Sequence, residues 1–365
     1  MFKKFTLKNY RTHLDTTIEL KGVTLLIGGN NSGKTNLLNG IQHFAQLISR
    51  TVAQSDPPKV VTADYFPHKH SLDTQGKPMV FACEWENALG KVDYQIALIA
   101  LDFDAVACQE KIDIKSLHSN TTLEHGIAEV SQEILLRTKL EKANLDSKAK
   151  QLAADFFQSL TQVYSYNLHP SFLKGLAKPL NHKGIDYAKV NFARDLGQEG
   201  ANFQALLKYV VEHDKETYER LLEFLKFAAR AFRGWVIKDE QAFWQFDITK
   251  NQNFQYLPPT VISDGFTKGC ALVLLCASKN PPALILIDEV ENSIGLENVR
   301  ELLSWVHHAD IAHQKHNQCD KTPQGSALSL LRTLYEKTDG IVFLRILSLK
   351  RRDSIRHNFI MFANN

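Results

Sequence analysis

A glycine-bounded loop between a short apolar strand and an amphipathic helix is the feature that most constrains how this chain can fold. The loop is Gly28-Gly29-Asn30-Asn31-Ser32-Gly33-Lys34-Thr35, after the apolar run 23–27 and before residues 36–48, whose apolar positions recur at helical spacing. Glycines let backbone N–H groups converge on an anion, and a helix N-terminus adds partial positive charge. A glycine turn that happens to precede a helix is the alternative, but the pattern lies between a strand and a helix, the context that a phosphate-binding loop (P-loop) requires, so it predicts a P-loop and a nucleotide site.

The polar residues of this loop have distinct expected roles. Lys34 would reach the β- and γ-phosphates, and the Thr35 hydroxyl would be a ligand of Mg²⁺. The predicted cofactors are therefore ATP and Mg²⁺. The other residues expected to contact the nucleotide here are Gly28, Asn30, Asn31, Ser32, Gly33 and Asn36.

A second apolar run ends in two acidic residues. Residues 283–287 read Ala-Leu-Ile-Leu-Ile, and Asp288 and Glu289 follow directly. Such a run is typical of a buried strand, and its carboxyl end is where ligands of open α/β sheets bind. Asp288 is predicted to hold Mg²⁺, directly or through water, and Glu289 to orient the attacking water. An ordinary strand end has the same pattern, but the P-loop in the same chain favours the catalytic interpretation.

The two motifs are much further apart in the chain than a single crossover connection requires. We therefore predict a split α/β P-loop NTPase with a mixed sheet core and a helical insertion. The expected boundaries are 1–115 for the N-terminal part of the core, 116–196 for the insertion or lid, and 197–365 for the C-terminal part. A charged helical pattern from about 120 to 165 favours an amphipathic helix pair, with a short coiled-coil arm or a docking surface as the alternative.

Other segments give coarser predictions of secondary structure. The patterns predict strands within 2–27, a hairpin near Asn87–Gly90, and loop-like structure over 164–184. Helices are predicted over 202–211, 218–232 and 267–278, and a strand within 241–256.

Composition limits the compartment and the class of protein. The chain is 44% hydrophobic and 23% charged, as in ordinary globular proteins, and its net charge of +3 leaves binding to nucleic acid undecided. Five cysteines without a C-x-x-C pair are typical of a reducing compartment. No apolar run approaches the ~20 residues of a membrane span. We therefore expect a cytoplasmic protein with no membrane partner.

Ser263-Asp264-Gly265 precedes the predicted helix over 267–278. Ser and Asp at a helix start are typical N-cap residues. The alternative is that this segment faces the γ-phosphate of a nucleotide held by a second subunit. Both interpretations can hold, because a cap satisfies only some of the free N–H groups of the first turn.

Four segments together resemble the ABC-type ATPases of the RecF/SMC/OLD group: Asn9-Tyr10-Arg11, the P-loop, Ser263–Gly265 and Leu286–Asn292. The chain is most similar to the stand-alone AAA-family ATPases of that group from bacterial antiphage and DNA-maintenance operons. The likeness extends over roughly 1–50 and 197–300. It implies that Ser263–Gly265 is the signature sequence and that Arg11 lies near the nucleotide. It also implies that ATP is sandwiched between two head-to-tail subunits, with Glu289 as the catalytic base.

The same resemblance implies partners. It predicts a homodimer or higher homo-oligomer that controls a separate effector, such as a nuclease or toxin, in antiphage defence or DNA metabolism. OLD-type enzymes carry a C-terminal Toprim nuclease, and the residues after Glu289 are too few for one beside the remaining core strands. Any cutting of nucleic acid is thus expected from another polypeptide.

The chain departs from the family pattern after the acidic pair. Similar proteins have a strand ending in Thr-His-Ser-Pro whose His senses the γ-phosphate, whereas residues 322–328 read Thr-Pro-Gln-Gly-Ser-Ala-Leu. Slow ATP hydrolysis, a non-hydrolysing ATP-dependent scaffold and a DNA-binding repair clamp all stay open at this point. The basic cluster Lys350-Arg351-Arg352 is interpreted either as a solvated turn or as a contact with the phosphates of DNA or RNA. The His and Cys residues of 307–319 do not have the spacing of a metal site.

Overall fold

The computed structural model shows two compact units. The first comprises Met1–Val163 with Ile346–Asn365, and the second Tyr164–Arg345. The structure describes residues 1–21, 23–27, 31–49, 77–100, 106–116, 119–129, 140, 143, 145–176, 196–239, 241–247, 254–277, 282–288, 341–345 and 360–361.

The first unit combines a large sheet with two helices. Its described elements are β1 (Phe2–Tyr10), β2 (His13–Glu19), β3 (Val23–Ile27), α1 (Lys34–Ser49), β4 (Met79–Asn87), β5 (Gly90–Ala100), β6 (Val106–Ser116), β7 (Asn120–Glu129), α2 (Ser147–Leu160) and the short β14 (Ile360–Met361).

Six strands of this unit form an antiparallel sheet in the order β2-β1-β4-β5-β6-β7. The predicted hairpin is confirmed, because Asn87 pairs with Gly90 where β4 turns into β5. Buried and partly exposed side chains alternate along most of β4. This period of two gives the sheet one apolar face and one solvated face.

Helices α1 and α2 cover the apolar face. Phe44 of α1 lies within 5.9 Å, between ring centroids, of both Phe5 and Tyr94. Phe156 of α2 lies 5.8 Å from Tyr94. These aromatic side chains are buried, so they supply much of the hydrophobic stabilisation of the unit. The α2 face that carries Phe156 is thus a core face.

The opposite face of the sheet carries ion pairs between neighbouring strands. Lys91 of β5 contacts Glu84 of β4 at 2.7 Å, and Lys115 of β6 contacts Asp93 of β5 at 3.1 Å. The carboxylate of Glu84 accepts from Lys91, which lowers the pKa of Glu84. Because these pairs are exposed, each contributes at most about 1 kcal/mol to stability.

Strand β3 leads into the P-loop and pairs in parallel with β14, with Leu26 opposite Ile360 and Ile27 opposite Met361. The predicted order of strand, loop and helix is thus present. In the chain, the carboxyl end of β3 precedes the P-loop and the amino end of α1 follows it, which is the order that an anion site requires.

The second unit combines a three-stranded antiparallel sheet, parallel strands and several helices. Its described elements are β8 (Val163–Tyr166), which begins at the last residue of the first unit, α3 (Pro170–Leu173), α4 (Phe203–His213), α5 (Lys215–Ala228), β9 (Phe232–Lys238), β10 (Gln241–Asp247), β11 (Phe254–Leu257), a 3₁₀ turn (Pro259–Val261), α6 (Asp264–Ala277), β12 (Leu284–Ile287) and β13 (Ile341–Arg345).

The antiparallel sheet has the order β11-β10-β9, and helices α4 and α5 pack near it. Its core is aromatic: Phe232 lies 4.8 Å from Trp235 and 5.7 Å from Trp244, between ring centroids. Strand β12 is buried throughout and lies between β13 and β8, pairing in parallel with β13. The expectation of a buried strand before Asp288 is confirmed, and so is the α/β class with mixed sheets.

Three secondary-structure predictions are wrong in detail. Residues 120–129 were expected to be helical but form β7, which satisfies its backbone groups against β6. Residues 163–166, within the expected loop-like segment and just before it, form β8. The helix expected over 218–232 is α5, which ends at Ala228, and Phe232 already belongs to β9. Pairing partners distant in sequence decide such segments, and local pattern does not report them.

Of the helices in the described ranges, none has the length and apolar character needed to cross a membrane.

The domain boundaries predicted at 115/116 and 196/197 stay a prediction.

Candidate nucleotide-binding site

The described half of the P-loop has the backbone of an anion site. Asn31 and Gly33 both have left-handed backbone, with φ of 64° and 88°, and α1 begins at Lys34. Left-handed residues beside right-handed ones turn successive N–H groups toward one side, which forms an anion-binding nest. The first turn of α1 adds N–H groups that no carbonyl of the helix can accept.

Lys34 lies inside this loop. Its side chain is only 5% exposed, and Nζ donates to the Ser32 hydroxyl at 3.0 Å. A buried ammonium group needs polar partners, and a phosphate is the strongest kind available. The next residue, Thr35, is exposed at the start of α1.

The β1–β2 turn, residues 9–13, packs against the P-loop and the first turn of α1. Arg11 donates from Nη1 to Asn36 Oδ1 at 3.1 Å, and Asn36 Nδ2 donates to the Thr12 hydroxyl at 3.0 Å. Asn9 and Arg11 have positive φ, of 53° and 47°, which few non-glycine residues adopt. Such strain persists only where surrounding contacts fix it, and it is common near functional sites.

The sequence patterns did not single out Thr12 and His13, which also belong to this arrangement. His13 Nε2 lies 2.9 Å from the Gly33 carbonyl oxygen. A Cβ at Gly33 would lie 2.8 Å from the Thr12 hydroxyl oxygen, and the φ of 88° would strain any side chain, so a substitution there would force its neighbours to shift. The contact joins positions 13 and 33, and no local pattern reports such a pair.

His43 of α1 contacts the end of β1 beside this turn. Its Nδ1 lies 2.7 Å from the Tyr10 hydroxyl. Burial, helped by the positive charge of Arg11, lowers the pKa of His43 from 6.5 to about 4. His43 is therefore neutral at physiological pH, and its Nδ1 shares a hydrogen bond with the Tyr10 hydroxyl.

The Ser263–Gly265 segment forms the amino end of α6. The Ser263 hydroxyl accepts from the Phe266 backbone N–H at 3.3 Å, which confirms the N-cap interpretation. Phe266 is anchored in the aromatic core, 5.4 Å from Trp244 between ring centroids. Asp264 remains 48% exposed and forms an ion pair with Lys174, whose side chain is 10% exposed.

Asp288 directly follows β12. It is half-buried, and its backbone N–H donates to the Tyr166 carbonyl of β8 at 3.1 Å. This contact fixes the main chain where the strand ends. Asp288 thus occupies the carboxyl end of a buried parallel strand, as the sequence predicted.

The candidate residues divide between the two units. Arg11 and residues 31–36 belong to the first unit, whereas Ser263–Gly265 and Asp288 belong to the second. Gly28, Asn30 and Glu289 lie outside the described residues, as do 307–319, 322–328 and 350–352. Their predicted roles, and those of the described candidates toward a nucleotide, stay predictions.

The side chains present fit ATP and Mg²⁺ chemically. Lys34, the Ser32 hydroxyl and the N-terminus of α1 offer the donors that phosphate oxygens accept. Thr35 of the first unit and Asp288 of the second unit each carry an oxygen atom of the kind that Mg²⁺ prefers, and this ion usually keeps several waters and phosphate oxygens rather than an all-protein cage. Among the described residues, no group of three or more His, Cys, Asp or Glu is arranged to hold a metal.

Comparison with known proteins gives a family. The solved structure titled "Crystal structure of the SmcHead bound to the C-winged helix domain of ScpA" is similar with a TM-score of 0.40 and 11% identity, covering 95% of this chain and 90% of that chain. The comparison of this chain with curated proteins gives no match. The AAA ATPase domain matches residues 1–256, which is more than half of the chain and includes the whole P-loop. The chain therefore belongs to the AAA ATPase domain family.

Proposed function

We propose that this protein binds ATP with Mg²⁺ at the P-loop and hydrolyses it slowly as a molecular switch. The observation that carries the proposal is the buried Lys34 ammonium group against the Ser32 hydroxyl, at the start of α1 and beside two left-handed loop residues. The family match, which makes this an ATPase domain, supports it.

Phosphoryl transfer depends mainly on positioning and on neutralising charge. Lys34 would exchange its contact with Ser32 for the β- and γ-phosphates, and the N–H groups of the P-loop would bind the remaining phosphate oxygens. When bound, Mg²⁺ would offset phosphate charge. Thr35 and Asp288 would hold the ion, and Glu289 would orient the attacking water.

We further propose that two subunits close on the nucleotide through Ser263–Gly265. A carboxylate at this position would repel a phosphate, and the Lys174–Asp264 ion pair offsets that charge. Because Lys174 offsets the negative charge of Asp264, the Ser263 hydroxyl and the N-terminus of α6 can approach a γ-phosphate on the other subunit.

We propose that this ATP-dependent assembly controls a separate effector protein in antiphage defence or DNA metabolism. The support is the resemblance of the four motif segments to the RecF/SMC/OLD group. The departure from the Thr-His-Ser-Pro pattern at 322–328 favours slow turnover, because it removes the side chain that senses the γ-phosphate in similar proteins.

The first test is ATP turnover by the purified protein, with wild type beside Lys34→Ala and Glu289→Gln. Lys34→Ala should weaken nucleotide binding by about ten-fold or more, because a charge-assisted hydrogen bond is lost. Glu289→Gln should retain binding and lose turnover. Lys21→Ala, which changes an exposed lysine upstream of β3, is the matched control.

The outcomes separate the candidate functions. Turnover that is lost in both variants supports the assignment of the site. Binding and assembly without turnover in the wild type would instead indicate an ATP-dependent scaffold. No binding of nucleotide by the wild type would contradict the proposed function as a whole.

A further inference from the structure

His13 is a buried histidine that the proposed chemistry does not use. It is the first residue of β2, and only 5% of it is exposed. Its ring bridges two groups: Nε2 lies 2.9 Å from the Gly33 carbonyl oxygen, and Nδ1 lies 2.9 Å from the Thr16 hydroxyl.

The chemistry of these partners fixes the direction of both hydrogen bonds. A carbonyl oxygen only accepts, so Nε2 carries the hydrogen and donates to Gly33. In the neutral ring Nδ1 is then the acceptor, and the Thr16 hydroxyl donates a hydrogen bond to it. Burial lowers the pKa of His13 and outweighs the opposite effect of the Gly33 carbonyl, so the neutral form is the one present at physiological pH.

The Gly33 carbonyl oxygen has a second donor. The backbone N–H of Leu37 donates to it at 2.8 Å, which is the first hydrogen bond of α1. Both lone pairs of the oxygen are thus used, one by the helix and one by His13. The two donors together hold the peptide group between Gly33 and Lys34 in one orientation.

This orientation matters because a trans peptide group is planar and its C=O and N–H bonds point in opposite directions. With the Gly33 carbonyl directed toward Leu37 and His13, the Lys34 N–H is directed the other way, out of the amino end of α1. That is the direction in which a helix N-terminus binds an anion. His13 thereby presets an N–H donor of the P-loop.

We propose that His13 is a positioning residue for phosphate binding, acting through the Gly33–Lys34 peptide group. The proposal rests on the proposed function, since it assumes that a nucleotide phosphate binds at the P-loop. The close approach of Gly33 to the turn supports it: a Cβ at Gly33 would lie 3.1 Å from both Cε1 and Nε2 of His13. The imidazole ring therefore packs directly against the backbone of Gly33.

The test compares three variants of the full-length protein. His13→Gln keeps an amide N–H that can reach the Gly33 carbonyl, His13→Asn has a similar amide on a side chain one methylene shorter, and His13→Phe fills the space without a donor. Each is titrated with a fluorescent ATP analogue in the presence of Mg²⁺, and its thermal unfolding midpoint is measured without nucleotide. His213→Gln, an exposed histidine of the second unit, is the matched control.

We expect His13→Phe and His13→Asn to weaken binding by about ten-fold, the effect of one lost hydrogen bond, while His13→Gln stays within about three-fold of wild type. Equal affinities for all variants, or a fall in the unfolding midpoint with unchanged affinity, would overturn the proposal. If His13→Phe does not fold, the comparison of Gln with Asn decides. Failure of the proposed function itself is distinguishable, because then the wild type binds no nucleotide and Lys34→Ala changes nothing.

Discussion

His43 lies half-buried on α1 with the Tyr10 hydroxyl at Nδ1 and the charge of Arg11 nearby. In the unfolded chain its pKa is near 6.5, whereas burial and Arg11 lower it to about 4 in the folded protein. Between these two values the unfolded chain binds more protons than the folded one. The contribution of His43 to stability is therefore fully present above about pH 6.5 and is lost as the pH falls toward 4.

Replacing His43 should reduce this acid sensitivity. The amide of His43→Gln can still form a hydrogen bond with Tyr10. In this variant we expect the loss of unfolding free energy between about pH 7.5 and about pH 5 to be smaller than in the wild type by about 1 kcal/mol, after a discount for partial exposure of the ring. Urea denaturation at the two pH values measures it.

His213→Gln serves as the control, because it makes the same substitution at an exposed histidine of another helix. His13, whose pKa is also lowered by burial, is present in both the wild type and His43→Gln, so part of the acid sensitivity should persist in His43→Gln. An identical loss of stability in wild type and His43→Gln would contradict the assignment of a depressed pKa to His43.

At the scale of single residues, the sequence reports roles that depend on local order. Lys34 and Thr35 were predicted from their positions between a strand and a helix, and the structure has that strand and that helix. Asp288 was predicted from the apolar run before it. His13 could not be predicted, because its contact with Gly33 requires the β1–β2 turn to fold back onto the P-loop.

Helix α1 approaches β1 closely, and Gly40 is the residue that permits this approach. A Cβ at Gly40 would lie 2.6 Å from Leu7 Cδ1 and 3.1 Å from Tyr10 Cε1. Glycine inside a helix costs about 1 kcal/mol relative to alanine, so its presence here needs a reason in packing. The closeness of the sheet supplies that reason.

We expect Gly40→Ala to destabilise the protein by about 1–3 kcal/mol, because the added methyl group overpacks a buried contact and its effect exceeds the gain in helix propensity. The free energy of unfolding in urea measures the change. Since α1 carries Lys34, affinity for nucleotide should fall in the same variant.

Gly269→Ala in α6 is the matched control for Gly40→Ala. A Cβ at Gly269 would meet no atom within 4 Å, so only helix propensity acts there. We expect this variant to be more stable than wild type by about 0.5–1 kcal/mol. Similar effects of the two substitutions would contradict the argument from packing.

At the scale of elements, prediction succeeded where periodicity was strong and local. The β4–β5 hairpin at Asn87–Gly90 and helix α4 are examples. It was wrong for β7, where Glu124 and the neighbouring polar residues of an outermost strand of the sheet resemble a charged helix surface. It was also wrong for β8, a buried strand of four residues that is too short to show a period.

For the whole molecule, the proposed dimer makes Ser263 a contact point between subunits. A bulky cation there should block closure by steric hindrance, whereas binding of nucleotide at the P-loop of each chain should persist. We therefore expect Ser263→Arg, made together with Glu289→Gln, to abolish an ATP-dependent rise in molar mass. Light scattering with and without ATP measures the mass.

Asn120→Arg, at the exposed start of β7, is the control and should assemble as the parent does. Loss of the Ser263 cap alone should cost about 1 kcal/mol, which a separate unfolding measurement on Ser263→Ala detects. An unchanged rise in mass for Ser263→Arg would contradict the proposed interface.

The pairing of β14 with β3 has a consequence for biosynthesis. The first unit begins at Met1, yet Ile360 and Met361 complete the pairing of the strand that leads into the P-loop. During translation β3 is synthesised long before β14. The pairing of the two strands can therefore form only after the whole second unit has been synthesised. A recombinant product covering only residues 1–256, the range of the family match, would hold the whole P-loop but lack β14 and Asp288. Its folding yield and its affinity for ATP, set beside those of the full-length protein, would report how far folding and nucleotide binding depend on residues 257–365.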